Sequence, residues 1–334
     1  MKTLPIFAPI DEDLQRVEQK MYEASQAKYE PLRRVIEYLL QSGGKRLRPA
    51  LALLAARFHP AVSRSRRGGT NCSPTEAAVA LAAAVEMLHT ATLVHDDIID
   101  DSPLRRGNPT LNTFWSSEAT ILAGDYLFAR AASLAAETEN VRVMAIFAET
   151  LMSICSGQLK EIFEDGWRNP SRQDYYQRIY SKTASLFALS TEAGAVLSGA
   201  PEKHICALRA YGENLGLAFQ IVDDVLDFTG DESELGKPVG SDLRQRVLTL
   251  PTLNFLERYP REETLISIFE GGARNDEQIR RTVEMIKESG AIEAAMLEAC
   301  QFARRSQEAL NSLPDNKYRQ ALLDLADYVV ERQQ

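Results

Sequence analysis

Apolar positions in this chain fall in long runs at helical spacing, and nowhere alternate convincingly at the two-residue period of a strand. Residues 10–40 read as helical, with Pro31 starting a second helix after a short break. Another apolar helix is predicted over residues 50–58. Residues 77–85 are continuously apolar and rich in Ala, which predicts a buried helix. Ser73 or Thr75 can cap it, and Pro74 suits its first turn. The same helix runs on through Glu86 and His89 to Asp96. Helical pattern returns at Ala119 and continues as a long pair through Gln158 and Glu161 to a polar loop at residues 166–170. It resumes over residues 174–199 and 207–228. Residues 251–334 read as helices with short breaks at Pro260, Gly271-Gly272, Gly290 and Pro314. No solenoid period and no dividing linker is visible, so the pattern predicts one all-α domain over residues 1–334.

Composition agrees with that picture and narrows it. Aromatic residues make up only 7% of the 334 positions while Ala and Leu abound, which favours helix over strand. A formal net charge of −9 argues against a nucleic-acid partner. Cys72, Cys155, Cys206 and Cys300 are scattered without CxxC spacing, and read as reduced thiols, not a disulfide frame or a zinc site. The first residues carry Lys2, Pro5, Pro9 and Asp11-Glu12-Asp13 with no apolar core of a secretory signal. No uncharged apolar stretch reaches about 18 residues, the length of a membrane span. The expectation is a cytoplasmic protein whose membrane contact is at most peripheral.

Candidate chemistry lies in two acidic clusters. Asp96, Asp97, Asp100 and Asp101 follow the long apolar run. On a continuing helix Asp96 and Asp100 share a face at i and i+4, where like charges repel. A divalent cation would reverse that interaction, while a solvated helix end carrying Asp by chance would need none. Asp223, Asp224 and Asp227 repeat the DDxxD spacing at the end of another apolar helix, and two carboxylate faces can hold metal ions between them. Basic residues accompany both clusters. Gly43-Gly44-Lys45-Arg46-Leu47-Arg48-Pro49 combines close backbone approach with cations, as an anion site needs, although a glycine helix stop with solvated side chains has the same sequence. Arg105 and Arg106 lie just beyond the first cluster, to hold a diphosphate or merely to neutralise the aspartates. Lys182-Thr183 sits inside a helix, and Lys237 lies in a Gly-rich loop after the second cluster that resembles a lid. The basic loop over residues 59–74 is assigned no function.

Taken in order, residues 43–49, 93–110, 182–183, 216–227 and 236–242 resemble the motif set of the trans-type isoprenyl diphosphate synthases, or polyprenyl synthetases. The motif-bearing part is about residues 40–255. The resemblance implies an all-α bundle of antiparallel helices around a deep central cavity, of the isoprenoid synthase type, normally a homodimer. It implies Mg²⁺ as cofactor, about three ions to an active site. Isopentenyl diphosphate would be condensed head to tail with an allylic diphosphate by ionisation, condensation and elimination. Asp96, Asp100 and Asp223 match direct metal ligands, and Asp97, Asp224 and Asp227 match carboxylates that act behind them or through water. Arg105, Lys182, Gln220 and Lys237 match positions that grip the allylic diphosphate. Lys45, Arg48, His89 and Arg106 match those that bind isopentenyl diphosphate, and Thr183 and Gln220 could stabilise the cation through their dipoles.

Product length follows, in this family, from side chains below the first motif. Ala91, the fifth residue before Asp96, is where a bulky aromatic would close the cavity, with Thr92 beside it and Leu88 one turn deeper. Without that aromatic the expected product is an all-trans chain of C30 to C50, with a geranylgeranyl or farnesyl product as the shorter alternative. Phe128, Phe147 or Met152 could provide a deeper floor. A terpene cyclase would carry an Asn/Asp-Ser/Thr-Glu motif in place of the second DDxxD and needs no second diphosphate site. A non-catalytic subunit of a heteromeric synthase tends to lose aspartates or basic residues, none of which is lost here. Departures from the family pattern are Ser241-Asp242, where two acids are common, and Arg244-Gln245-Arg246-Val247, which replaces a Gly-Lys-rich stretch.

Overall fold

The computed structural model describes residues 4–41, 43–59, 73–105, 107–163, 171–230, 238–270 and 275–332. They are helical almost throughout, and form two compact units. The first comprises Met1–Leu151, Leu186–Gly212 and Ala309–Leu325, and the second Met152–Ser185, Glu213–Glu308 and Ala326–Gln334.

In the first unit the elements are α1 (Asp11–Ser25), α2 (Glu30–Gln41), α3 (Leu47–Ala56), α4 (Pro74–Ile99), α5 (Ser117–Ala136) and the first part of α6 (Val141–Phe163). The long helix α4 is the axis of its packing, with α1, α3 and α5 against it. It begins as its sequence predicts, for Ser73 Oγ accepts from the Glu76 amide at 3.2 Å and Pro74 occupies the first turn. Ala77 through Val85 are all buried, and their small side chains let neighbouring helices come close. By length and composition Thr75–Ile99 could cross a membrane, but 78% of its apolar window is buried within the fold, the mark of a core helix. The helix α3 starts at Leu47, three residues earlier than its apolar pattern suggests. Pro49 is tolerated there because first-turn amides have no partner within the helix. One small departure from the all-helix expectation follows Asp101. Leu104–Arg105 (β1) and Asn108–Pro109 (β2) pair antiparallel, Leu104 opposite Pro109 and Arg105 opposite Asn108.

The second unit contains α7 (Arg172–Ile179), a π-turn at Tyr180–Ala184, the last half of α9 (Glu202–Thr229), α10 (Ser241–Arg244), α11 (Leu250–Arg258), α12 (Glu263–Glu270), α13 (Asp276–Glu288) and most of α14 (Ala291–Ala309). The remaining helices are α8 (Ser185–Leu197) and α15 (Lys317–Glu331). Ile221, Val222, Val225 and Phe228 give α9 one apolar face, buried with Leu250, Ile279 and others in a single core. Arg172 fixes the start of α7 by bonding Glu257 on α11 and Glu298 on α14, each at 2.6 Å. The predicted single helix over 174–199 runs through Tyr180–Ala184 with one irregularity, a turn widened by one residue. Gly157 makes room for it, since a β-carbon there would lie 2.4 Å from Ser181 Cβ.

Candidate active site

The first acidic cluster sits where α4 ends. The Asp100 amide donates to the Asp96 carbonyl at 2.8 Å, so the two carboxylates do fall one turn apart. Asp101, at φ 47°, terminates the helix and is exposed. The four carboxylates then divide by environment. Asp97 is buried and takes the Arg105 Nε at 2.6 Å, its backbone carbonyl accepting from Asn112 Nδ2 at 3.2 Å. Burial pushes the Asp97 carboxyl up, and the Arg105 guanidinium pulls the other way. Asp96 is half-buried and Asp100 exposed, so these two offer oxygen to solvent.

The histidine beside them is held by α5. His95 Nε2 lies 3.1 Å from the Ile121 carbonyl, and its ring meets Phe128 edge-on at 5.2 Å. Gly124 admits the ring, because a β-carbon there would lie 2.2 Å from Nε2. His89 lines a cavity of about 50 Å³ with Tyr38, Gly43, Glu86, Asp97 and Arg105. Glu86 is occupied by the buried Arg46, which adopts a left-handed conformation (φ 50°) and also bonds Glu18, each at 2.7 Å. Of the three basic residues in 45–48, Arg46 is thus a structural one. Lys45 is exposed, and the Arg48 guanidinium stands 5.0 Å from the Phe187 ring centre. Neither lines the His89 cavity. Leu88 and Ala91 have no exposed surface, whereas Thr92 is half-buried and donates to the His89 carbonyl at 2.8 Å. Phe147 is buried and Met152 exposed.

The second cluster has the same division, by different means. Asp224 is buried and receives the Tyr175 hydroxyl at 2.7 Å and Gln220 Nε2 at 2.9 Å. Thr183 Oγ1 donates in turn to Gln220 Oε1 at 2.6 Å. Burial raises the Asp224 carboxyl to about 6, against the pull of Gln220, Tyr175 and Arg178. Asp227 is buried too, and its Oδ2 accepts from the Asp242 amide at 3.0 Å, joining α9 to the start of α10. Asp223 alone of the three keeps 41% of its side chain exposed. Lys182 is exposed and stands 3.9 Å from Glu161. Tyr175 had no signal in the sequence, where it is one aromatic of an ordinary amphipathic helix. A larger cavity of about 1040 Å³ in this unit is lined by Lys160, Arg178, Arg246 and Phe269 among others, but by none of the three aspartates.

Structure therefore groups Asp96, Asp97, Asp100, His89 and Arg105 in one unit, and Thr183, Gln220, Asp223, Asp224 and Asp227 in the other. Arg106, Lys237 and most of the basic loop at 59–74 lie outside the described residues. Among the described residues no three or more His, Cys, Asp or Glu side chains converge as a ready metal cage.

These features have close counterparts among known proteins. The sequence profile of the polyprenyl synthetase family matches residues 29–286. Heptaprenyl diphosphate synthase component 2 of Geobacillus stearothermophilus is 38% identical over 99% of each chain. The short chain isoprenyl diphosphate synthase of Methanothermobacter thermautotrophicus is 39% identical over 91% of each. The crystal structure of polyprenyl synthase from Caulobacter crescentus CB15, complexed with calcium and isoprenyl diphosphate, is 36% identical with a TM-score of 0.88, over 98% of this chain and 97% of that one. The chain belongs to the polyprenyl synthetase family. It is a prenyltransferase, in a family whose chemistry is generally metal-dependent.

Proposed function

We propose that this prenyltransferase elongates an allylic diphosphate with isopentenyl diphosphate in a Mg²⁺-dependent reaction, to an all-trans product of C30 to C50. The observation that carries the reading is the division of both DDxxD motifs into buried, hydrogen-bonded carboxylates and solvent-facing ones. Asp96, Asp100 and Asp223 would hold Mg²⁺, which when bound supplies the positive charge that a departing diphosphate needs. Arg105, Lys182, Gln220 and Lys237 would hold the allylic diphosphate, and Lys45, Arg48, His89 and Arg106 the other substrate. The allylic C–O bond breaks with its electron pair on diphosphate. The isopentenyl double bond then attacks the allylic cation, and a proton leaves the new cation for the released diphosphate. No protein base is required. Asp97 and Asp224 act by orientation, the first fixing Arg105 and the second fixing Gln220 and so Thr183.

The relatives include both heptaprenyl and short-chain enzymes, so chain length rests on the residues below the first motif. Alanine at 91 supports a long product. Its complete burial means that a growing tail reaches it only when neighbouring side chains shift. A homodimer is the proposed assembly, with a heteromer, as the word component in one relative's name suggests for that protein, the alternative. Incubation with Mg²⁺, isopentenyl diphosphate and geranyl, farnesyl or geranylgeranyl diphosphate, with mass analysis of products, tests the reading. Ladders of five-carbon additions ending between C30 and C50 are expected. Failure to extend any primer overturns it.

A further inference from the structure

The half-exposed Asp223 has a partner that lies far from it in sequence. Arg332, just beyond α15, is only 5% exposed in its side chain, and its Nη2 lies 2.7 Å from Asp223 Oδ1. The same nitrogen donates to the Phe219 carbonyl at 2.6 Å, one turn before Asp223 on α9. The guanidinium carbon stands 3.8 Å from the Phe219 ring centre, and Nε donates to the Val329 carbonyl at 3.3 Å. We propose that Arg332 is a positioning residue of the proposed metal-binding centre, which fixes the rotamer of Asp223 and so aims its carboxylate.

Asymmetry within the pair gives the direction of control. The guanidinium is buried and has anchors on Phe219 and Val329 that do not involve Asp223. The carboxylate is 41% exposed, and the other two aspartates of its motif point into hydrogen bonds of their own. Arg332 would therefore stay in place without Asp223, while Asp223 without Arg332 would be free to rotate. A staple whose only task was to dock α15 on α9 could do that through Phe219 alone. Charge works against the simpler idea that Arg332 favours a cation directly, because a guanidinium 2.7 Å from a ligand oxygen repels one. The two effects have opposite signs, which makes them separable. If positioning dominates, removing Arg332 weakens metal binding, and if repulsion dominates, removal strengthens it.

This inference rests on the proposed role of Asp223. Its test is a Mn²⁺ titration, followed by electron paramagnetic resonance with inorganic diphosphate present, on the wild-type chain, Arg332→Met, Asp223→Asn and the double variant. Oriented partners of metal ligands typically contribute about 10- to 100-fold in metal affinity or activity, so R332M should raise half-saturating Mn²⁺ at least about tenfold. In the D223N background the same change should add little, because Arg332 acts through that carboxylate. Arg332→Lys, which keeps the charge but loses the fork, should recover part of the affinity. Circular dichroism melts check that each variant is folded, and if R332M is not, R332K carries the same comparison. Unchanged or tighter Mn²⁺ binding in a folded variant, or full additivity with D223N, overturns the inference. A wild-type chain that binds Mn²⁺ yet extends no primer would sink the synthase reading and leave this titration still decisive for Arg332.

Discussion

The residues of both acidic motifs earn their different roles from burial. Asp96 is half-buried near the end of its helix, and with the proposed role as a metal ligand Asp96→Ala should reduce turnover at least about a hundredfold while the chain stays folded. Product formation from a labelled primer measures it. Tyr175→Phe should behave differently. It removes one of two donors to the buried Asp224, which should cost about 1–3 kcal/mol in urea unfolding and slow turnover through Gln220. The two acidic clusters were visible in the sequence because spacing within a few residues carries the signal. Tyr175 and Arg332 were not, for each reaches its carboxylate across a sequence separation that no local period encodes. The same holds for Arg46, whose basic side chain looked like its neighbours' until the left-handed backbone turned it onto Glu18 and Glu86.

At the level of elements, the apolar runs gave the helices and the Ser73-Pro74 start of α4, whereas the ends were less visible. The beginning of α3 precedes its apolar pattern, because Arg48 interrupts the apolar run while Leu47 and Pro49 on either side of it are buried in the unit. The approach of α5 to α4 depends on one missing side chain. Gly124→Ala would press a methyl group into the His95 ring, and an overpacking cost of about 1–3 kcal/mol in thermal or urea unfolding is expected. A second contact makes stability depend on pH. His59 Nε2 and His204 Nδ1 are 2.9 Å apart, and burial followed by the charge of His204 holds the His59 ring below the usual imidazole range. A depressed histidine stabilises the fold above its unfolded value near 6.5, and that contribution fades as pH falls through the lower folded value. Melting temperature should therefore decline below about pH 6.5, and less steeply in His204→Gln, as scanning calorimetry across pH 5 to 8 would record.

For the molecule as a whole, family and fold class were readable from the ordered motifs and the absence of strand alternation. What could not be read was how the chain distributes its chemistry, with the first DDxxD in one compact unit and the second in the other. Chain length is a property of this scale. Ala91→Phe places an aromatic in the packed interior of α4, and products several isoprene units shorter should appear by mass spectrometry if the tail passes this level. Unchanged products would move the limit to a deeper position such as Phe147. Assembly is measured by light scattering, with a mass near twice the 37.2 kDa of the chain expected for the homodimer.

The π-turn at Tyr180–Ala184 has a consequence for how this gene can change. Tyr175 and Thr183 are eight positions apart, an interval that turns the second side chain about 80° away from the first on a regular helix. The wide turn absorbs one residue, so the pair is in effect seven apart, two full turns, and both reach α9 at Asp224 and Gln220. A codon lost within this turn would restore a regular helix with the pair truly seven apart, so the two halves would stay in phase. The same loss at 176–179, with the wide turn kept, would leave the pair in effect six apart and separate the two hydrogen bonds in a single step.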